Sequence, residues 1–556
     1  MKHYSTSLLA LAISTALASP AFAAVSSTAL PAGATVAGGN ATISQSGNTM
    51  TVAGSGNNVI TYAGGFDVGS SSTVTFNGGN FLNIDQSGAA SEIDGTINGN
   101  ATGVFIANAN GIVIGNGATI NLTAAGGANG GGDFGVAAQD LSGSTQTSAF
   151  MSSGTMPLNA ANSATGASVN IGTATIIAGS AVVNANGNIA NSGTITTSAT
   201  GGTGALTIEA GNQLVNYGTL TNNSPTGGAI TSNYSAQLNL IAHGASGPYS
   251  LSLVNQPGGV IQANGNVNLI AHDNLLNYGA VAANATTGQI TVAAGSAGSA
   301  YGSVYDGTLG TFSAPVFDFV YAGDITGGIV AGAANPQPGN AFQNGVILKN
   351  ATALTPLNVI LQPLNAGAAR QNVNLVSTTN DINVIPLFSS SLIAQLANAA
   401  NGPVDTAFVP SNLFVRSPVA AGLFNQLESG AGNTFYWPGL MYVENTKVGM
   451  LATPFATAGG GIGTNGNVTT ISNVTPNPSA GQGMYFLTEA VYGATSSTTA
   501  SIDPTMTLET NAGSTINVLA GVTQSTALTT QTSVVSGSSL TGLAPTTPAQ
   551  YTPPSM

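Results

Sequence analysis

The residues in this sequence best suited to catalysis are two pairs of carboxylates. Glu92 and Asp94 stand two positions apart in a strand-like segment, so their side chains would share one face of a strand. Asp318 and Asp324 form a second, wider pair. Glycosidases use two carboxyl groups on one face, about 5 to 9 Å apart, so either pair would serve an enzyme that acts on polysaccharides. No lysine or arginine lies near Glu92 in the sequence to assist such a reaction. We therefore expect that the protein is not an enzyme.

The next candidates are His243 and His272, because each directly follows a Leu-Ile-Ala segment in a copy of one repeat. Histidines in register on neighbouring coils of a solenoid could bind a metal ion or respond to pH. The matching positions in other copies are Gly211 and Gly295. A position that alternates between glycine and histidine is typical of a corner with an unusual φ, which histidine tolerates. We therefore interpret both histidines as structural and predict neither a metal site nor a cofactor.

The composition excludes several classes of protein. Five lysines and arginines stand against 18 aspartates and glutamates, and charged residues make up 4% of the 556 residues, where about 25% is ordinary. A nucleic-acid partner is excluded because proteins that bind nucleic acids need clustered cations. Long surface helices are not expected either, because they need charged residues beside their apolar face. The hydrophobic fraction of 43% is nevertheless enough to bury a large core. Because the chain has no cysteine, packing rather than disulfides must stabilise it.

The first 23 residues have the pattern of a secretory signal peptide. Lys2 and His3 give a short basic start, residues 8–17 form a mostly apolar run, and Ala21-Phe22-Ala23 is a small-x-small cleavage site. We expect cleavage after Ala23. The mature protein is then expected to leave the cytoplasm by a secretory route.

An internal repeat predicts a parallel β-helix. The segment 206–220 (LTIEAGNQLVNYGTL) matches 267–281 (VNLIAHDNLLNYGAV) at five of fifteen positions, and four of the ten differences exchange one apolar residue for another. Further copies of its first half end at positions 243 and 295. The four copies of this half therefore end at positions 211, 243, 272 and 295, with spacings of 32, 29 and 23 residues. One coil of three strands and three turns fits a repeat of this size, and fixed-period similarity is typical of solenoids.

Each Asn-Tyr-Gly in the repeat is expected to form a corner of the β-helix. Asn216 and Asn277 would then lie at equivalent corners, and Asn191-Ser192-Gly193 is a simpler relative. Asparagine and glycine both tolerate positive φ, which a corner can require. Asparagines stacked in register would form a ladder of side-chain amides.

Segments in a fixed order carry a resemblance to a known family. They are 74–76 (Val-Thr-Phe), 81–85 (Phe-Leu-Asn-Ile-Asp), 92–97 (Glu-Ile-Asp-Gly-Thr-Ile), 103–115 (Gly-Val-Phe-Ile-Ala-Asn-Ala-Asn-Gly-Ile-Val-Ile-Gly) and 134–141 (Phe-Gly-Val-Ala-Ala-Gln-Asp-Leu). Together they resemble the amino-terminal secretion domain of the filamentous haemagglutinin family, the exported partner in bacterial two-partner secretion. The resemblance covers about residues 24–220. It implies a right-handed parallel β-helix with an amino-terminal cap, in agreement with the repeat.

The resemblance also implies a secretion motif. Asn108-Ala109-Asn110-Gly111-Ile112 looks like the family's Asn-Pro-Asn-Gly-Ile signature, with alanine where the family usually has proline. A turn can still form there, because Asn108 and Asn110 can satisfy their own backbone and Gly111 supplies an unusual φ. The partner that the resemblance implies is an outer-membrane β-barrel transporter of the two-partner secretion type. The implied location is secreted or at the cell surface, after passage through the periplasm of a Gram-negative bacterium. Taken alone, these five residues would equally suit one more corner of a β-helix.

The expected fold class is all-β, a right-handed parallel β-helix followed by a less regular β-rich carboxyl-terminal region. Beyond about residue 300 the repeat fades, aromatic residues become denser, and two short helices are predicted at 389–400 and 419–427. The predicted organisation is a signal peptide (1–23), a secretion-domain-like β-helix (24–220), further β-helix repeats (221–300), an aromatic-containing module (301–522) and a flexible Ser/Thr/Pro-rich tail (523–556).

The expected function is that of an adhesin or extracellular matrix component. Its receptor would be a glycan or protein on a host or neighbouring cell, and Tyr436, Trp437 and Tyr442 are the candidate ligand-binding residues. Two alternatives stay open at this point. One is a self-assembling fibre or sheath subunit, since β-helix ends expose strand edges that can pair between molecules. The other is a polysaccharide-active enzyme built on a β-helix.

Overall fold

A computed structural model describes the chain as two compact units, Met1–Asn284 and Ala285–Met556. The described residues are 25–123, 131–159, 166–198, 204–224, 238–244, 250–295, 302–307, 310–323, 325–327 and 346–349, together with further strands of the second unit, for most of which only the backbone is described. Among these residues no helix has both the length and the apolar character needed to cross a membrane.

The first unit begins with a cap of antiparallel strands. Its strands are β1 (Ala34–Gly38), β2 (Thr42–Ser46), β3 (Thr49–Tyr62) and β4 (Thr73–Asp85). Strand β2 pairs antiparallel with the first half of β3, and β1 pairs antiparallel with the second half. Strand β3 then pairs in parallel with β4, which starts the solenoid. Such a cap covers the end of a solenoid that would otherwise expose its strand edges.

Short strands follow one another from β4 onward and form the coils of the β-helix. They are β5 (Ser91–Ile93), β6 (Thr96–Gly99), β7 (Gly103–Asn108), β8 (Ile112–Ile114), β9 (Thr119–Asn121), β10 (Asp133–Ala138), β11 (Val169–Ile171), β12 (Thr175–Ala178), β13 (Ala181–Ala185), β14 (Ile189–Asn191), β15 (Thr194–Thr197), β16 (Leu206–Ala210), β17 (Leu214–Asn216), β18 (Thr219–Asn222), β19 (Leu238–Ala242), β20 (Leu251–Asn255), β21 (Val260–Ala263), β22 (Val267–Ala271), β23 (Asn274–Asn277) and β24 (Ala280–Ala282).

Each strand pairs in parallel with the third strand after it along the chain, so the coils have three faces. Face 1 contains β7, β10, β13, β16, β19 and β22. Face 2 contains β5, β8, β11, β14, β17, β20 and β23. Face 3 contains β6, β9, β12, β15, β18, β21 and β24. The predicted parallel β-helix is therefore confirmed.

The core of the first unit lies inside these coils, because side chains alternate inward and outward along each short strand. On face 3 the inward positions hold branched aliphatic residues that are at most 1% exposed, namely Ile97, Ile120, Ile176, Ile195, Leu220, Ile261 and Val281. Branched aliphatic residues suit strands since their stiff side chains pack well on a pleated surface. Stacked in register, they fill the interior of successive coils without charged groups.

The predicted repeat register is confirmed inside the first unit. Leu206, Leu238 and Val267 are successive partners on face 1, at the predicted spacings of 32 and 29 residues. On face 2, Asn216 and Asn277 lie at equivalent corners, with Asn255 between them. The amide ladder expected from the sequence is present and includes this additional rung.

The expected reason for glycine at these corners is wrong. Gly193, Gly218 and Gly279 do not adopt positive φ. Instead, a Cβ on Gly218 would collide with the carbonyl oxygen of Gly193, and one on Gly279 would collide with the carbonyl oxygen of Gly259. Glycine is needed because the backbones of successive coils approach closely there, not because of an unusual dihedral angle.

One helix in the first unit has no counterpart among the predicted elements. Helix α1 (Ser144–Ser153) lies in the chain between β10 and β11. It buries Phe150, whose ring packs edge-on against Phe105 with the two ring centroids 5.8 Å apart. Val59, Leu82 and Leu141 belong to the same buried cluster. This helix therefore gives the early coils a second, smaller hydrophobic core.

The second unit is also built of mostly parallel strands. They are β25 (Gln289–Ala294), β26 (Val304–Asp306), β27 (Thr311–Ser313), β28 (Val316–Tyr321), β29 (Ile325–Gly327), β30 (Val346–Lys349), β31 (Leu357–Pro363), β32 (Asn372–Ser377), β33 (Ile382–Pro386), β34 (Asn412–Ser417), β35 (Ala421–Phe424), β36 (Leu440–Asn445), β37 (Gly449–Thr453), β38 (Thr469–Thr470), β39 (Met484–Thr488), β40 (Thr507–Glu509), β41 (Thr515–Ala520), β42 (Ser533–Val534) and β43 (Ser539–Gly542).

Within the second unit, the aromatic residues Phe312, Phe317, Phe319 and Tyr321 are buried. The helix predicted at 419–427 is wrong, because β35 lies there and pairs in parallel with β33. Its apolar residues fit a buried strand as well as a short helix, and pairing with β33 decides in favour of the strand. The helix predicted at 389–400 lies outside the described residues.

Candidate functional site

The predicted secretion motif forms a corner between faces 1 and 2 of the β-helix. Asn108 ends β7 and Ile112 begins β8. Gly111 adopts a φ of +110°, a conformation that favours glycine, and its N–H donates to the carbonyl oxygen of Asn108 at 3.2 Å. The predicted turn is thus present even though Ala109 stands where the family usually has proline.

The side chain of Asn108 is buried beneath this corner, with 1% of its surface exposed. Its Nδ2 donates to the carbonyl oxygen of Ala89 at 2.8 Å and to the Oγ of Ser91 at 2.9 Å. Its Oδ1 accepts a hydrogen bond from the backbone N–H of Asn110 at 2.8 Å. A buried amide with all these partners fixes both the strand that precedes it and the turn that follows.

Asp85 extends this network and anchors it to the strands of the cap. Its Oδ2 accepts hydrogen bonds from the Ser91 hydroxyl at 2.6 Å and from the Phe66 N–H at 2.8 Å. Its Oδ1 accepts one from the Ser87 N–H at 2.9 Å. The sequence predicts no role for Asp85 or Ser91 in the corner, because linear spacing gives no signal that they meet Asn108.

The part of the corner that faces solvent is small and well defined. Ala109 and Asn110 are exposed, whereas Gly111 and Ile112 are buried. The Ile112 N–H donates to the carbonyl oxygen of Ser168 at 3.0 Å, which ties the corner to the next coil. The corner therefore presents the backbone and side chains of two exposed residues in one fixed conformation, held by buried polar groups below.

A group of carboxylates lies near this corner. Burial raises the pKa of Asp67, and repulsion from Asp85 and Asp94 adds to the effect. Burial likewise raises the pKa of Glu92, and the nearby charge of Asp94 raises it further. The pKa of Asp94 is also raised by burial. The first candidate catalytic pair, Glu92 and Asp94, thus consists of two partly buried groups that repel each other.

Replacing Asp67 with asparagine is expected to raise the melting temperature at neutral pH. A carboxyl group whose pKa is raised by folding binds more protons in the folded chain, so its contribution to stability falls as pH rises through the ordinary and then the raised pKa. Its negative charge therefore opposes folding at neutral pH. In the unchanged protein, Oδ1 of Asp67 accepts a hydrogen bond from the Glu92 N–H at 2.9 Å. Asparagine removes the charge but keeps an oxygen that can accept the same hydrogen bond.

The matched control for this substitution is Asp140→Asn. Hydrogen bonds from the Ser142 side chain and backbone lower the pKa of Asp140, so its charge favours folding at neutral pH. Thermal unfolding followed by circular dichroism at neutral pH should therefore shift in opposite directions for the two variants. Both shifts should shrink in acid below the ordinary aspartate pKa. A lower melting temperature for Asp67→Asn at neutral pH would contradict this account of the carboxylate group.

The two histidines occupy equivalent positions, as predicted. The N–H of His243 donates to the carbonyl oxygen of Ala210, and that of His272 donates to the carbonyl oxygen of Ala242. The Nε2 of His243 lies 2.8 Å from a carboxylate oxygen of Glu209, and the Nδ1 of His272 lies 3.2 Å from one of Asp273. The described residues contain no group of three or more His, Asp and Glu side chains placed to hold a metal ion.

The explanation of these positions by unusual φ is confirmed at Gly295, which adopts a φ of +109°, but it is wrong at Gly211, which does not adopt positive φ. A Cβ there would collide with the carbonyl oxygen of Asn186 in the preceding coil.

The other residues proposed for function are placed only in part. Asp318 is buried in β28, and Asp324 lies outside the described residues. Tyr436 and Trp437 also lie outside them. Tyr442 belongs to β36, where it is the backbone partner of Phe414 in β34.

Comparison with known proteins finds similarity among solved structures. No protein-family model matches the chain, and no curated protein matches it. Among solved structures, the chain is similar to the HMW1 secretion domain from Haemophilus influenzae, with 15% sequence identity over 71% of this chain and 97% of that chain, at a TM-score of 0.27.

Proposed function

We propose that the protein is a secreted or surface-displayed β-helical exoprotein, exported by two-partner secretion. The Asn108–Ile112 corner is the segment that the outer-membrane transporter recognises. The corner itself supports this proposal, because a buried hydrogen-bond network holds Ala109 and Asn110 at the surface. It also lies in the part of the chain whose sequence segments, taken in their order, resemble a secretion domain. The signal-peptide pattern of the first 23 residues supports the same route.

A corner of this kind is well suited to recognition. Binding costs free energy when a loop has to be ordered, and a loop that is already fixed avoids that cost. The hydrogen bonds from Asn108 to Ala89 and Ser91, and from Ser91 to Asp85, hold the corner before any partner arrives. The transporter would then contact two small, uncharged residues and the backbone between them.

We propose that the exported chain acts as an adhesin or matrix component and does not catalyse a reaction. Its coils form a polar, almost uncharged surface that would bind a glycan or protein receptor through short-range contacts. Of the two alternatives, the fibre subunit is not favoured by the capped end of the first unit, where antiparallel strands cover β3. No described group of residues favours an enzyme over an adhesin.

Export through a dedicated transporter can be tested in a Gram-negative host. The full-length chain would be produced with and without an outer-membrane transporter of the two-partner type from the same genome. We expect most of the protein at the surface or in the medium when the transporter is present, and in the periplasm when it is absent. Equal export in the two strains would contradict the proposal.

A further inference from the structure

A column of threonines that the proposed export function does not use runs from β3 and β4 of the cap onto face 3 of the β-helix. Each member is the parallel partner of the next, so the column crosses seven successive strands without interruption. Its members are Thr49, Thr73, Thr96, Thr119, Thr175, Thr194 and Thr219. All are exposed or half-buried, so they lie on the outer surface of the first unit.

A second column runs beside the first, two residues further along each strand. Its members are Thr51, Thr75, Asn98, Asn121, Ile177, Thr196 and Thr221. Six of these seven carry a hydroxyl or an amide, and the residue between the two columns is buried on every strand. The two columns together form a grid, named here the threonine grid.

The spacing of the threonine grid follows from strand geometry. Neighbouring strands are about 4.8 Å apart, and residues two apart on one strand are separated by about 6.6 Å. The partner register does not shift between these positions. The first column is therefore about 29 Å long, and its β-branched side chains have restricted χ1 angles. The grid is a rigid two-dimensional array, and not a scatter of surface hydroxyls.

The other two faces lack such an array among their described residues. On face 2, one register position holds the apolar residues Val113 and Ala190, which are half-buried, and Val215, which is buried. On face 1, one register position holds the half-buried, charged residue Glu209 between Asn184 and Ile241, which are both buried. The hydroxyl pattern thus belongs to face 3, and the β-helix fold alone does not produce it.

The chemistry of the grid limits what it can bind. It holds no charged side chain, so a phosphate, a metal ion or an acidic polymer finds no counter-charge there. It holds no aromatic side chain, which a sugar ring would need to cover its apolar face. A single glycan chain also repeats in one direction only, whereas the grid repeats in two. The fitting ligand is neutral, offers both donors and acceptors, and repeats in two dimensions.

We propose that the threonine grid binds ordered water in the form of an ice surface. A threonine hydroxyl both donates and accepts, as a water molecule does, and its methyl group fills the space between neighbouring hydroxyls. Ordering a single water on a protein costs up to about 2 kcal/mol, so one site would hold it weakly. Many equivalent sites in fixed register order a whole layer of water at once, and that layer joins the crystal.

The test uses purified full-length protein in an assay of ice recrystallisation, in which crystals in a frozen sucrose film are followed by microscopy. We expect the unchanged protein to arrest crystal growth. Thr119→Tyr combined with Thr194→Tyr places two large rings on the grid. This variant should need about tenfold more protein for the same arrest, equivalent to about 1.4 kcal/mol of binding free energy.

The matched control is Ala190→Tyr, which adds the same ring in the same coil as Thr194 but on face 2. This control should arrest growth like the unchanged protein, and circular dichroism should show that all three proteins are folded. The proposal is overturned if the unchanged protein leaves crystal growth unaffected, or if the face 2 variant loses as much activity as the face 3 variant. Binding of the unchanged protein to insoluble cellulose or chitin without any effect on ice would overturn it as well.

Discussion

Replacing Asn216 with alanine is expected to lower the free energy of unfolding by about 3 kcal/mol. Asn216 is fully buried and lies in the middle of a ladder of four asparagines on face 2. It accepts a hydrogen bond from Asn191 at 2.8 Å and donates one to Asn255 at 2.9 Å. Asn255 in turn donates to Asn277 at 2.9 Å. Alanine leaves the amide of Asn191 and the carbonyl group of Asn255 each without this partner.

The size of the loss follows from the two groups left behind. A buried polar group that loses its partner costs about 1 to 3 kcal/mol. Denaturant titration of the purified protein measures the effect. The matched control is Asn264→Ala, because Asn264 is exposed and its side chain donates to the carbonyl oxygen of Asn223 rather than to another asparagine of the ladder. If the two alanine variants lost equal stability, the ladder would not stabilise the coils.

The second large effect is expected on export. Changing both Asn108 and Asn110 to alanine should leave most of the protein in the periplasm, while the unchanged protein reaches the surface or the medium. The Asn108 substitution removes the amide that donates to Ala89 and Ser91, and the Asn110 substitution removes an exposed side chain of the corner. Cell fractionation and immunoblotting measure the distribution.

A loss of export could also come from poor folding. The control substitutions must therefore lower the stability of the protein by a similar amount at another corner. Asn191→Ala combined with Ser192→Ala meets this need. Asn191 is buried and hydrogen-bonded like Asn108, and Ser192 is exposed like Asn110. We expect this variant to be exported. Equal retention of both double variants would mean that export depends on folding in general and not on the Asn108 corner.

Much of the fold was predictable from the sequence because its repeat keeps inward residues apolar and corner residues polar. The spacing of 206–220 and 267–281 predicts the register of face 1, and Asn216 and Asn277 predict the ladder. Asn255 was missed because its corner reads Asn255-Gln256-Pro257-Gly258-Gly259, with two residues more between asparagine and the ladder glycine than in Asn-Tyr-Gly. The insertion hides the repeat in the sequence but leaves the side chain in place.

Other features could not be read from the sequence for physical reasons. Helix α1 has no apolar periodicity, since Phe150 is its one buried residue, so its signal comes only from packing against Phe105. Ser91, which accepts a hydrogen bond from Asn108, and Asp85, which accepts one from Ser91, lie on other strands, and linear spacing does not reveal them. The threonine grid needs a register that crosses loops of very different length, as between Thr119 and Thr175.

The most direct test of the central claim is site-specific photo-crosslinking during export. A photoreactive amino acid at Ala109 would stand on the exposed part of the Asn108 corner, and the same group at Ser192 would stand on an exposed corner further along the β-helix. Cells that produce the full-length chain and its transporter would be irradiated while export is in progress. We predict a covalent adduct with the transporter from position 109 and little from position 192. Equal adducts from both positions, or none from position 109, would contradict the assignment of this corner as the recognised segment.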